Sequence, residues 1–553
     1  MKSTIKYSFL AFIACALLFS SCFSPWTGEE TRESTGSITV TIGSSSGGRA
    51  ANWPPPYDRY IGWDHEVILK DTSNAVIESK PIPALSSPFS ATFSNVLNGN
   101  YIIEIWATDP WSSPPNEVMA VGSSPITVAG GPVSPSITME SPIYIEPNNA
   151  AHDRYIYWDG LPNIQAKIHE LIMNEYSPFI YNVVQNGAMF SSTPTLSGDT
   201  ISISLTSLVP TDYGDDFYVE LAVMGNSIKS NRLTISKEIN SVAGLSALSS
   251  TIITHHILTS PFTMPNSVTQ LPTGITFDGN GNTITFNSTS VSVSFFGLFG
   301  TNNGTIQNLK VISSITDPAH AVTGSLYLGA VAGRNNGTIQ NVSATVTINV
   351  TCSATGVSTF AGGIAGINND TIKNCYVDGA IAIDSGANPG YTGGIAGENN
   401  DSIKNCWAEG TVMVDSTNSS TSVGGIASSN LSSGNIANCV ALQTNLDLAK
   451  GNGSGGALGN IVGIDSASLS NNHVSMNTHH RHLDSTLDFH ATVNDGTLPN
   501  GLDISSGAEN TDTWWKSTLG WYDPDPALSI WGGADEDHPW KWGSSRPKLW
   551  FEP

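Results

Sequence analysis

The phrase GGIAGINNDTIKNC at 362–375 returns as GGIAGENNDSIKNC at 393–406 with two changes. Looser copies stand at 296–309 (FGLFGTNNGTIQNL), 328–342 (LGAVAGRNNGTIQNV), 423–439 (VGGIASSNLSSGNIANC) and 455–472 (GGALGNIVGIDSASLSNN). The last glycine falls at 300, 333, 366 and 397, and Ser428 takes its place in the fifth copy, so the unit is 31–33 residues long. A unit of that length cannot bury its own apolar face, but a stack of such units can. Within each copy aliphatic positions alternate with small or polar ones, and pieces such as GAIAI at 379–383 and GTVMV at 410–414 continue the alternation between copies. That pattern predicts several short parallel strands per unit, each pairing with the unit above and below about 4.8 Å away. The expected architecture over 246–490 is a right-handed parallel β-helix.

Each repeated residue then has a mechanical task. Gly297, Gly300, Gly333, Gly363, Gly366, Gly394, Gly397 and Gly425 are assigned to tight corners and close backbone approach. Asn368, Asn369, Asn399 and Asn400 suit left-handed corners. Asn374, Asn405 and Asn438 share one register and are expected to form an inward ladder of amides, beside a ladder of small hydrophobes, Cys375, Cys406 and Cys439. Metal binding or a redox pair is the competing reading for these thiols, against which stands the absence of CxxC spacing.

The form GG-I-A-G-x-N-x-x-x-I-x-N-C resembles the GLUG motif, a glycine-rich repeat of bacterial surface proteins that include adhesins and immunoglobulin-degrading metallopeptidases. Four copies match it well and two weakly, over about 290–475. The resemblance implies a surface location and an adhesive or structural role, and it brings no catalytic residues with it. The peptidase members need HExxH, whereas this chain offers HEVIL at 65–69 and HELIM at 169–173, neither with the second histidine.

Ahead of the repeats, period-2 segments such as SITVTI at 37–42 and NYIIEIWA at 100–107 are separated by turn-forming clusters. DRYIGWD at 58–64 returns as DRYIYWD at 153–159, which points to two tandem Ig-like β-sandwiches over 37–131 and 135–240. Trp63 and Trp158 are expected in equivalent core positions; a platform for stacking sugars is the alternative.

At the N-terminus, Lys2 and Lys6 precede an apolar run, Tyr7 to Leu18, too short for a lasting membrane span. Phe19, Ser20 and Ser21 then lead to Cys22 in the manner of a bacterial lipoprotein signal. The expectation is a signal peptide over 1–21, acylation of Cys22, membrane lipid as its partner, and a spacer over 22–36. A signal of this kind leaves the facing leaflet open: the cell surface or the periplasm. The formal charge of -24, with 22 Lys and Arg against 46 Asp and Glu, gives no support to nucleic-acid binding.

Chemistry is sparse. Asp384, Asp415 and Asp447 recur at 31 and 32 residues and form a candidate acidic row, able to hold Ca²⁺ or to serve a polysaccharide-cleaving enzyme. No other cofactor is expected. Histidines gather at His255, His256, His473, HHRH 479–482 and His490, a weak transition-metal signal. Half of the 14 tryptophans lie near the C-terminus: Trp514, Trp515, Trp521, Trp531, Trp540, Trp542 and Trp550. They are assigned to a cap over 491–553 that closes the last coil, with a glycan patch as the alternative. The expected whole is an all-β, surface-anchored lipoprotein contacting an unknown protein or glycan, with an enzyme on the same fold as the runner-up.

Overall fold

The computed structural model describes residues 34–552 except 42–62, 85–89, 111–116, 146–154, 158–162, 177–179, 186–187, 190–193, 206–213, 224–225, 231, 249–253, 321–323, 353, 450–456, 476–477, 483–487, 490–501, 505–506, 520, 522–539, 544–545 and 550. The expected signal segment, Cys22, most of the expected spacer, Trp158, His490, Trp531 and Trp550 lie outside the described residues.

Alternation builds the first sandwich. One sheet sets Thr35–Thr41 between Ser90–Leu97 and Pro132–Val133, and the other runs Val76–Ile82, Asp64–Asp71, Gly99–Asp109, Glu117–Val128. The inward residues, among them Ile38, Val67, Leu69, Phe93 and Ile103, meet Trp63 in one buried cluster. The second sandwich pairs Thr195–Ser197, Thr200–Ser204, Asn163–Ile168 and Ile143–Ile145 against a sheet containing Ile180–Gln185, Gly214–Val223 and Leu233–Ile239. It also holds a short helix, Glu170–Tyr176, which period-2 reading does not anticipate. Val118 and Val121 of the first unit pack into the second unit's core, so the two sandwiches share apolar contact.

Leu233–Ile239 continues the second sandwich straight into the repeats, because it pairs in parallel with His255–Leu258. Between them the helix Val242–Ala247 is capped by Ser241, whose Oγ accepts from Gly244 N at 3.3 Å. Leu245 and Leu248 join the core of the first coils.

The repeats form a parallel β-solenoid of about six turns. One face is made of long strands, from Thr305–His320 and Thr338–Cys352 to Val440–Ala449. A second face stacks Val268–Leu271, Phe299–Asn302, Ala332–Asn335, Ala365–Asn368, Ala396–Asn399, Ala427–Asn430 and Val462–Asp465. A third stacks Phe295–Phe296, Leu326–Gly329, Thr359–Gly362, Gly390–Gly393, Ser422–Gly424 and Ala457–Gly459. In-register pairing puts like on like inside: Ile306, Ile339, Ile372, Ile403, Ile436 and Leu469 form one column. Ile364, Ile395 and Cys406 are fully buried.

Candidate binding face of the solenoid

The asparagines exchange the roles expected of them. Asn374, Asn405 and Asn438 take φ near +53°, as do Asn308, Asn341 and Asn471, so they make the left-handed corner at the edge of the long face. Each donates Nδ2 to the Oδ1 of the coil before it, as in Asn405 to Asn374 at 3.2 Å, and the chain of amides ends on the Asp278 carboxylate through Asn308 at 3.1 Å. The fully buried ladder is the one expected at corners: Asn302, Asn335, Asn368, Asn399 and Asn430 lie in extended strands of the second face. Their Nδ2 atoms donate toward the C-terminus at 2.7–2.8 Å, and the last amide reaches Asp465 Oδ1 at 3.0 Å. The two ladders thus point opposite ways, each terminated by a carboxylate at its accepting end.

The eight predicted glycines are not corners in the torsional sense, for none has a positive φ. They are places of close approach. A Cβ on Gly366 would come within 2.6 Å of Leu328 N, and one on Gly397 within 2.7 Å of Ala361 N. The positive-φ glycines that matter are Gly379 and Gly410, stacked on one another within the long face and flagged by no repeat phrase.

Cys375, Cys406 and Cys439 are buried, unbridged thiols in a column that begins with Leu309 and Val342. Each donates to a carbonyl two residues back, at 3.2–3.3 Å. Burial first, then the neighbouring thiol, pushes Cys406 and Cys439 far above the ordinary thiol range.

The acidic row has two members and not three. Asp384 pairs with Asp415, but Asp415 pairs with Ala449, while Asp447 stands opposite Met413. The register shifts between Gly410 and Thr411, where Thr444 is the extra residue on the facing strand. That bulge keeps Leu446 and Leu448 turned into the core. Among the described residues no group of three or more His, Cys, Asp or Glu is arranged to hold a metal ion.

Among the described residues, Trp514, Trp515, Trp521, Trp540 and Trp542 lie against the outside of the long strands and not over the end of the stack. Leu502–Ile504 adds one rung beyond His473–Ser475, and the chain then turns back along the outside of the stack. Trp515, Trp521 and Trp540 are buried with Leu519 and Leu549 against Trp407, Val440 and Leu442, which face outward from the long strands; Trp514 and Trp542 are partly buried beside them. Trp521 Nε1 donates to Asn438 O at 3.2 Å, and at the far end the Phe551 side chain lies against Gly281 of an early coil. Tyr376 stacks flat on Trp407, centroids 4.5 Å apart, and donates its hydroxyl to Glu552 at 2.5 Å. Burial and the Glu552 carboxylate raise that phenol far above its usual range. The segment is a lateral brace whose seat is this aromatic pair. Of the histidines, His255 and His256 are buried at the junction with the second sandwich, and His473 sits edge-on to Trp514 at 5.1 Å.

The third face carries a feature absent from the expectations. Its pleat sends Leu326 and Leu328 inward and leaves Tyr327 outward. Register then stacks Phe295, Tyr327, Phe360 and Tyr391 with centroids 4.9, 4.8 and 4.7 Å apart and planes within 19°. The column passes on to Ser422, and the Arg334 guanidinium lies 3.9 Å over Phe295. Because the rings face one another, they turn their edges to water and act first as a stiffening rib. The signal was present in the text: an aromatic six residues ahead of the last glycine in three copies and five ahead in the first.

At the Phe295 end of this stack a pocket of about 470 Å³ opens between 266–270, 288–296 and 300–301. Hydroxyl and amide side chains dominate its lining, and none of the lining residues is charged. Such a lining can exchange hydrogen bonds with a ligand but supplies no carboxyl, imidazole or ammonium group to act as acid or base. A second pocket of about 390 Å³ on the first sandwich includes Asp64, His65, Glu66 and Trp106. Its carboxylates are tied down, Asp64 by Ala84 N at 2.7 Å and Glu66 by the Ser79 hydroxyl at 2.5 Å.

No family model matches the sequence, and no curated protein matches it. A solved structure described as "Biofilm associated protein - BSP domain" is similar to part of the chain, with 16% identity, coverage of 31% of this chain and 24% of that one, and a TM-score of 0.13. A likeness of that size carries no argument about function.

Proposed function

We propose that this chain is a membrane-tethered surface lipoprotein of the GLUG-repeat kind, acylated at Cys22, whose sandwiches hold a stiff solenoid away from the bilayer to contact a protein or glycan partner. The observation that carries the reading is the continuity of the solenoid. Aliphatic, amide, thiol and aromatic columns run through successive coils, so the repeated residues are committed to rigidity and not to turnover. The neutral, hydroxyl-rich pocket on the third face favours binding over catalysis. A polysaccharide-cleaving role would rest on the acidic row, and that row lacks its third member, since Asp447 stands opposite Met413.

Two measurements test the proposal. Bacterial expression with a clickable fatty acid should label the chain and partition it into membranes, and Cys22→Ala should abolish both; labelling that survives the substitution would overturn the anchor. Binding screens against matrix proteins and glycans should give retention without cleavage. Turnover of any polysaccharide, lost in Asp384→Asn with Asp415→Asn, would favour the enzyme instead.

A further inference from the structure

We infer that the pocket at the Phe295 end of the aromatic stack binds a short run of neutral sugar residues. The inference rests on the contact role proposed above and names its ligand class. Asn266, Thr269, Gln270, Ser290 and Ser292 line the pocket and are exposed, so their groups are open to a ligand in place of water. Hydroxyls and amides both donate and accept, which matches the alternating demands of sugar hydroxyls and provides no countercharge for a phosphate or a carboxylate. Phe295, stacked on Tyr327 and under Arg334, adds an apolar ring edge to the wall of the pocket.

Charge narrows the choice further. No cation lines the pocket, and the nearby Arg334 is held over the Phe295 ring. With a formal charge of -24 the chain repels sulfated and uronic polysaccharides, so an uncharged oligosaccharide is the ligand that incurs no repulsion. The size fits, since about 470 Å³ falls within the roughly 300–1,000 Å³ range of small-ligand sites. The lining strands are also set before any ligand arrives. Val268–Leu271 is paired with Phe299–Asn302, and Phe295–Phe296 with Leu326–Gly329, so binding requires little ordering of backbone.

The experiment uses the full chain with immobilised neutral oligosaccharides built from glucose, galactose, mannose or N-acetylglucosamine, and with their uronic and sulfated counterparts. At least one neutral set should bind and the acidic sets should not. The double substitution Asn266→Ala with Gln270→Ala, on exposed positions that should not disturb folding, should weaken binding by about tenfold or more. Phe295→Leu should weaken it too, with the circular dichroism and melting curve checked alongside. No neutral binding, a preference for acidic glycans, or unchanged affinity in both variants would overturn the inference. If the intact chain still adheres to cells or matrix while the pocket variants bind as before, the pocket fails and the contact role stands. If it retains no glycan, matrix protein or envelope component, the contact role fails as well.

Discussion

Asn368 and Asn369 are neighbours with opposite duties, and the difference is measurable. Asn368 is fully buried and bonds to Asn335, Asn399 and two carbonyls, whereas Asn369 belongs to a parallel ladder at the surface with Asn336 and Asn400. Asn368→Ala strands the amide groups of both neighbouring coils and should cost about 2–4 kcal/mol in denaturant unfolding. Asn369→Ala should change stability by only about 0.5 kcal/mol. Equal losses would refute the assignment. The buried thiols give a second readout: Cys406 and Cys439, inaccessible and held protonated, should react with a thiol reagent only after unfolding. Histidine burial makes a third. His65 and His473 are lowered to about 4 and His256 to about 3, in each case first by burial. The unfolded chain takes up those protons below about 6.5, so their contribution is intact above that pH and declines as pH falls toward 4. Melting temperature should therefore drop between about pH 7 and pH 4.5, and His473→Gln should shrink the drop.

Strands obey their neighbours before their own sequence. Thr444 illustrates it: the 33-residue offset that pairs Trp407 with Val440, carried on unbroken, would set Asn445 opposite the inward Val412 and turn Leu446 and Leu448 to water. One unpaired residue is the lesser cost, and the bulge restores the apolar phase. Deleting Thr444 should leave Gly410–Gln443 and Thr411–Asn445 as consecutive pairs with Leu446 still opposite Val412, so limited proteolysis between 440 and 475 should be unaltered; new cleavage there would count against this account. The aromatic stack is likewise an element-scale property. No single ring in it is conspicuous, but parallel register turns one recurring letter into a continuous rib on the third face.

Across the described molecule the solenoid is secured at its flank as well as at its near end. The helix Val242–Ala247 closes the near end with Leu245, and the C-terminal segment runs back along the long face, touching Asn438 and Asn471 near its start and Gly281 near its finish. A brace over several coils ties together units that otherwise hold only their neighbours. Trp515, fully buried with Nε1 donating to Glu509 O at 2.8 Å, anchors it, and Trp515→Ala should cost about 3–5 kcal/mol. Removing 502–553 should uncover Tyr376, Trp407, Val440 and Leu442 and produce dye binding and self-association, while the far-ultraviolet spectrum stays that of a β-solenoid. A truncated chain that stays monomeric and dye-silent would show that the brace is dispensable.

The sequence by itself determined the repeat, the stacking and the inward aliphatic and thiol columns, because a 31–33 residue period with alternating apolar letters has few ways to be buried. It marked which asparagines recur, but not which recurring asparagine bends the chain. That depends on backbone torsion at each corner, which only the closed coil specifies. Tertiary structure alone decided the bulge at Thr444, the brace along the long face, and the pocket beside Phe295. Each arises where residues far apart in the chain compete for the same space, and no periodicity within the chain records the outcome of that competition.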